Sequence, residues 1–219
     1  MCWNKDISLN TFIFGCLALV FIYITNTYSK YKTPIFDNPL VYVLYFLFVS
    51  MQLLEYFIWK NINNKKVNEQ LSRVGLIIIL LQMFFFVLII ENPTYRYGMM
   101  MLYFIYVFIT YFYKKWYSPI VYKTIANRHL SWEWLSFNGG EKIIIFIGLL
   151  FYFIPTLLAK KTMPLVIYIS AMLFIISYIL SKKDNSYGSL WCWSSNIIFL
   201  IYIINILLVQ PFYEYNGLC

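Results

Sequence analysis

Residues 185–213, NSYGSLWCWSSNIIFLIYIINILLVQPFY, run for 29 positions without a charged side chain. A helix that crosses hydrocarbon needs roughly 17–25 apolar residues, because every backbone N–H and C=O must find its partner inside the segment. Three other stretches meet the lower limit: 74–90, 97–113 and 143–159 are each uncharged over 17 positions. Worked outward from these, the chain divides into seven apolar spans at 9–28, 38–59, 71–91, 97–113, 142–159, 163–181 and 188–210. None alternates apolar with polar residues, as a strand of a membrane barrel would. The pattern predicts an all-α polytopic membrane protein, a single transmembrane domain over residues 1–219 folded as a seven-helix bundle.

Composition points the same way. The 219 residues are 62% hydrophobic and 12% charged, with a mean hydropathy of +0.69. Soluble chains average about 45–50% apolar and about 25% charged residues, so a soluble domain, a disordered chain and a nucleic-acid reader are all excluded as expectations. The bilayer is the expected partner. The net charge of +8 lies in the gaps between apolar runs, which marks loops at a membrane surface. With seven spans, twelve Lys and Arg fall on the side of the amino terminus and five on the other. The positive-inside rule then predicts a cytoplasmic amino terminus and a carboxyl terminus outside or in a lumen. The first span is too long for a signal-peptide core and reads as a retained helix.

One linker is long. Residues 114–140, KKWYSPIVYKTIANRHLSWEWLSFNGG, are basic and aromatic. Trp116, Trp132 and Trp134 would suit the headgroup layer, where an indole keeps its ring apolar and its N–H wet. The segment is expected to be an interfacial anchor, either a short hairpin or an interfacial helix, with a binding lid as the alternative.

Ionisable groups within hydrocarbon cost roughly 2.5–3.5 kcal/mol on insertion scales, so each one asks for a reason. In MQLLEYFIW, Gln52, Glu55 and Trp59 are spaced by three and four residues and share one helix face. Arg73 opens the third span on the same side of the membrane. In GSLWCWSSN, Trp191, Ser194 and Asn196 enter from that side too, together with Trp193 and Ser195. A carboxylate among amides, hydroxyls and indoles describes a polar cavity for a small polar solute or a cation. The candidate binding residues are therefore Gln52, Glu55, Trp59, Arg73, Trp191, Ser194 and Asn196. The alternative is that Glu55 snorkels toward Lys60 or Arg73, and that Ser194 and Asn196 only hydrogen-bond neighbouring helices.

Several chemistries lack their residues. The last span has no lysine for a Schiff base, and the single histidine, His129, lies in a loop. Serine or cysteine catalysis would lack a histidine partner in the bilayer. Cys2, Cys16, Cys192 and Cys219 share no metal-type spacing. No enzyme activity, cofactor or metal is expected.

An internal echo links spans one and two with five and six. Phe14-Gly15-Cys16-Leu17 parallels Ile147-Gly148-Leu149-Leu150, Pro39-Leu40-Val41 parallels Pro164-Leu165-Val166, and Pro93 and Pro211 would close the third members. The resulting three-plus-one-plus-three plan resembles the architecture of SWEET and PQ-loop transporters, although the chain has no Pro-Gln dipeptide. That resemblance implies a transporter. Gln52-Leu53-Leu54-Glu55-Tyr56-Phe57-Ile58-Trp59 and Gly188-Ser189-Leu190-Trp191-Cys192-Trp193 are similar to motifs of uncharacterised multi-pass membrane proteins of large DNA viruses, a resemblance that implies no activity. The sequence thus leads to a small-solute or ion transporter or channel with a polar cavity near Glu55, or else to a structural or assembly membrane protein.

Overall fold

Asparagine and proline set the helix starts. Asn4, Asn38, Asn64 and Asn92 each accept a backbone N–H from two or three residues further on, at 2.9–3.2 Å. These are donors that a first helical turn otherwise leaves unpaired. Pro39 and Pro93 follow two of the asparagines directly, in positions where their missing N–H costs nothing.

The computed structural model describes residues 4–113, 122–124, 130–132, 141–159, 164–181 and 186–217. Among these residues lie seven long helices: α1 Lys5–Tyr28, α2 Pro39–Lys60, α3 Lys65–Leu88, α4 Pro93–Tyr113, α5 Glu141–Leu158, α6 Pro164–Ser181 and α7 Tyr187–Ile204. A 3-10 turn, Pro34–Asp37, joins α1 to α2. Beyond α7 the chain continues through a π turn, Asn205–Val209, into a short α8, Gln210–Tyr215. Two three-residue strands, β1 Tyr122–Thr124 and β2 Leu130–Trp132, pair antiparallel with Tyr122 opposite Trp132.

Among the described residues, four helical runs are long and apolar enough to cross a membrane: α1, α2, α3 and the continuous Tyr187–Tyr215. Helices α5 and α6 carry the shorter apolar stretches Ile143–Leu158 and Leu165–Ser181. Helix α4 has 21 residues, but Arg96 and its many tyrosines make it less apolar than its neighbours. The outward surface is apolar as well. Leu17, Met101, Phe108, Leu180 and Leu208 are each at least half exposed, and a surface of this kind suits lipid and not water. Several apolar helices compatible with an integral membrane protein are therefore present.

Helix α2 is central. It packs against α1, α3 and α7, while α1 also meets α7, α3 meets α4 and α5, and α6 meets α7. The main core gathers Ile22, Leu44, Val87, Ile90, Phe199 and Tyr202, all essentially buried.

Two expectations need correction. Pro211 does not close the seventh helix, because the π turn ahead of it hands the Gln210 N–H to Asn205 O and lets the helix run on to Tyr215. Trp132 is not turned to the surface with its N–H in water. Only 2% of its surface is exposed, and it joins Met51, Leu54, Ile58 and Cys192 in a second core. A hairpin, with no interfacial helix at residues 122–124 and 130–132, delivers it there; Trp116 and Trp134 lie outside the described residues.

Candidate functional site

The buried face of α2 carries the polar residues that the sequence singled out. Gln52 and Glu55 are fully buried, at 1% and 0% exposure, so Glu55 does not snorkel. The hydroxyl of Thr11 on α1 donates to Gln52 Oε1 at 3.0 Å, with Ser8 buried one turn earlier on the same helix. The Glu55 carboxylate and the Cys192 thiol of α7 lie close enough to interact electrostatically. Trp59, one turn beyond Glu55, is half-buried beside Ile58 and Leu71.

Arg73 takes no part. It is exposed and among the described residues makes no ion pair or hydrogen bond. The reason is angular: its neighbour Ser72 is fully buried against the bundle, and a helix turns about 100° per residue, so Arg73 faces outward.

On α7 the candidates divide. The Ser194 hydroxyl donates to Trp191 O at 2.7 Å, and the Asn196 amide donates to Trp193 O at 2.8 Å, so both serve their own helix. Trp191 faces inward. Its ring meets Phe174 at 5.1 Å, Tyr152 at 5.2 Å and Phe48 at 6.4 Å, each edge to face. The predicted residues therefore do not converge on one polar cavity.

The open space lies elsewhere. A cavity of about 80 Å³ sits in the half of the bundle nearer the start of α7, walled by α3, α5 and α7 with Tyr106 and Trp132. A second, of about 50 Å³, lies in the other half, between α2, α5, α6 and α7. Tyr152 and Trp191 belong to both walls and separate the two. A third space, of about 240 Å³, is lined by Asp37, Asn38 and Glu91 at the far end, and it shares Ile35, Val41 and Ile89 with the second. Of the seven predicted residues, Trp191 and Ser194 line this series, whereas Gln52, Glu55, Trp59, Arg73 and Asn196 line none of the three.

The parting ring is held by hydrogen bonds. Gln82, fully buried on α3, donates to Leu47 O of α2 at 3.1 Å and accepts from the Tyr152 hydroxyl at 3.0 Å. One amide thus ties α2, α3 and α5 together at the level where the first two cavities meet. Gln82 stands out in its apolar run, so this anchor was visible in the sequence. Tyr152 was not, being one of 21 tyrosines.

Trp132 closes the other end of the first cavity. Its indole N–H donates to Ser189 Oγ at 2.8 Å, and its ring lies over Gly75. A Cβ on Gly75 would stand 2.9 Å from the ring and 3.0 Å from Leu54 Cδ2, so only glycine leaves this seat open. Among the described residues, no group of three or more His, Cys, Asp or Glu could hold a metal. Comparison with protein-family models, with curated proteins and with solved structures gave no match.

Proposed function

We propose that this protein is a seven-span integral membrane protein that passes a small solute through its bundle, with its amino terminus in the cytoplasm. The observation that carries the proposal is the series of three cavities along the bundle, each sharing wall residues with the next. Two constrictions interrupt the series, the Tyr152–Trp191 pair and the group Ile35, Val41 and Ile89. A transported solute would need each to yield in turn, which is the logic of alternating access at a midplane site. The substrate path then runs past Trp191 and Ser194 and leaves Glu55 aside. Helices α5 and α6, at 18 residues each, would span about 27 Å at 1.5 Å per residue, close to the hydrocarbon thickness.

The test is flux into reconstituted vesicles, measured with labelled small alcohols, phenols and sugars. Trp191→Ala removes the ring between the first two cavities and is expected to raise flux of an accepted solute several-fold, whereas Glu55→Gln should leave that flux unchanged. If neither the wild type nor Trp191→Ala exceeds protein-free vesicles for any solute, the conduit does not exist.

A structural role is the second reading, and a specific observation favours it. Thr11–Gln52, Gln82–Leu47 and Tyr152–Gln82 are hydrogen bonds between helices, the kind of contact that holds a bundle together without moving anything.

A further inference from the structure

We infer that the first cavity is a binding site for a small, mostly apolar molecule bearing one hydroxyl or carbonyl group, and that the Tyr106 hydroxyl reads that group. The inference deepens the conduit proposal by naming a solute class, but it concerns binding and stands or falls without any flux.

The polar atoms of the wall decide the class. The Tyr152 hydroxyl is occupied by Gln82 Oε1 at 3.0 Å, and the Trp132 N–H by Ser189 Oγ at 2.8 Å. The rest of the wall is chiefly aliphatic and aromatic, with Leu80, Met83, Leu149 and Phe174 among its members. Tyr187 and Cys192 have interactions of their own, which leaves the Trp191 N–H and the Tyr106 hydroxyl without a hydrogen-bond partner among the described residues. Tyr106 projects from α4 between Met83 and Gly148, at the side of the cavity away from the second one. A buried water usually needs two to four polar partners, so a wall this predominantly apolar favours an apolar occupant. An ion would lose its hydration and gain nothing in return. A molecule with an apolar body and a single polar end loses least, since the rings and aliphatic side chains cover the body and Tyr106 meets the end. This is the usual make-up of a small-molecule site, a mainly apolar pocket with a few placed polar groups.

Gly148 makes room for the Tyr106 hydroxyl. A Cβ built there would lie 2.6 Å from the Tyr106 oxygen and 3.3 Å from Met83 Cε. Any larger residue would push into the hydroxyl, so the glycine and the tyrosine make one feature: a hydrogen-bonding group seated against a glycine in the cavity wall. The size sets an upper bound. About 80 Å³ is smaller than the cavity of about 150 Å³ that binds benzene, so short alcohols and ketones fit without rearrangement. Larger rings would have to displace Trp191 toward the second cavity.

The experiment uses the full chain in lipid nanodiscs and a diazirine-bearing butanol as the probe. After photolysis, adducts are mapped by mass spectrometry. The expected result is saturable labelling at Met83, Leu149 or Cys192 that excess n-butanol removes, beside non-saturable labelling of lipid-facing Leu17 and Leu180. Tyr106→Phe deletes an oxygen that has no described partner, so it should leave thermal unfolding unchanged while raising the half-saturating concentration about ten-fold. Gly148→Leu should abolish the saturable labels and spare the lipid-facing ones. Labelling confined to lipid-facing residues in the wild type, or wall labelling whose concentration dependence is the same in Tyr106→Phe, overturns the inference. Saturable labelling in a protein that transports nothing would keep this site and remove the conduit; flux without wall labelling would do the reverse.

Discussion

Two regions of the interior meet at α2 and α7 and differ in kind. The face carrying Gln52 and Glu55 is polar and filled: Thr11 reaches across from α1 to the Gln52 amide, and both side chains are sealed from the surface. The wall carrying Leu80, Met83, Leu149 and Trp191 is apolar and hollow. In a bundle surrounded by lipid, a polar side chain must be met by another part of the chain, so polarity draws helices together and consumes the space around it. Where no polar atom demands a partner, a void can persist at only the cost of lost dispersion contacts. Polarity within a span therefore marks where the bundle is fastened, and it is a poor guide to where the bundle is open.

The strongest way to break this comparison is to remove the side chain that separates the filled region from the hollow one. Trp132→Ala would extend the first cavity toward Gly75 and leave Ser189 without its indole partner. Large-to-small changes at buried aromatic positions cost about 3–5 kcal/mol, and this one is expected to give the largest loss of thermal stability in detergent. An unchanged melting temperature would mean that the hairpin contributes no packing. Gly75→Val should act in the same direction, because its Cβ would stand 2.9 Å from that ring.

The case of Trp132 also shows how far the sequence could be read. The helices were legible because an apolar run of a given length has one solution in lipid. That Gln52, Glu55 and Trp59 share one helix face followed from spacings of three and four, whereas the burial of Glu55 did not, since snorkelling toward Lys60 or Arg73 fitted the sequence as well. The destination of Trp132 was not legible. Its seat is assembled from Gly75, Leu54 and Ser189, which are far apart in the chain and meet only once α2, α3 and α7 have packed. Arg73 failed for a related reason. Sequence places it at the same depth as Glu55, but depth does not fix which way a residue faces around the helix axis, and the burial of Ser72 gave the inward direction to its neighbour. The Tyr106–Gly148 pair could not be found among so many tyrosines without knowing which of them faces a glycine on another helix.

A smaller effect tests the fastening itself. Gln82→Leu removes the amide that joins α2, α3 and α5 and leaves the Tyr152 hydroxyl only its longer contact, with Ile79 O at 3.4 Å. Hydrogen bonds between membrane helices average about 0.6 kcal/mol and reach about 1.7, and the upper part of that range is expected because one residue serves two partners. Pairing it with Tyr152→Phe makes a double-mutant cycle. The double variant should lose less stability than the sum of the two singles, since the second change removes the hydroxyl whose better acceptor the first one took away. Strict additivity would show that the amide and the hydroxyl do not act on each other.

The smallest expected effect lies outside both regions, where charges stand in water. Beyond the predicted end of the seventh span, Glu214 on α8 accepts from Lys30 Nζ and from the hydroxyl of the half-buried Tyr31, with Lys30 and Glu214 both exposed. The hydrogen bond from Lys30, with a second from Tyr31, holds the Glu214 carboxyl below its ordinary value of 4.5. The same contacts with Glu214 raise Lys30 above 10.5 and Tyr31 above 10.0. The signs follow from linkage. A lowered carboxyl contributes stability in full above its unfolded value, near 4.5, and loses it as pH falls through the folded value. The raised tyrosine and lysine contribute in full below about 10 and lose it as pH rises through theirs. Glu214→Gln should therefore melt slightly below the wild type between about pH 5 and pH 9.5 and converge with it at lower pH. Added salt should narrow the gap, because exposed pairs are screened. By contrast, Gln82→Leu should show the same deficit across that pH window and at every salt concentration, because the amide it removes carries no charge. A Glu214→Gln deficit that ignored both variables would place this cluster out of water, and with it the boundary drawn between the solvated loops and the bundle.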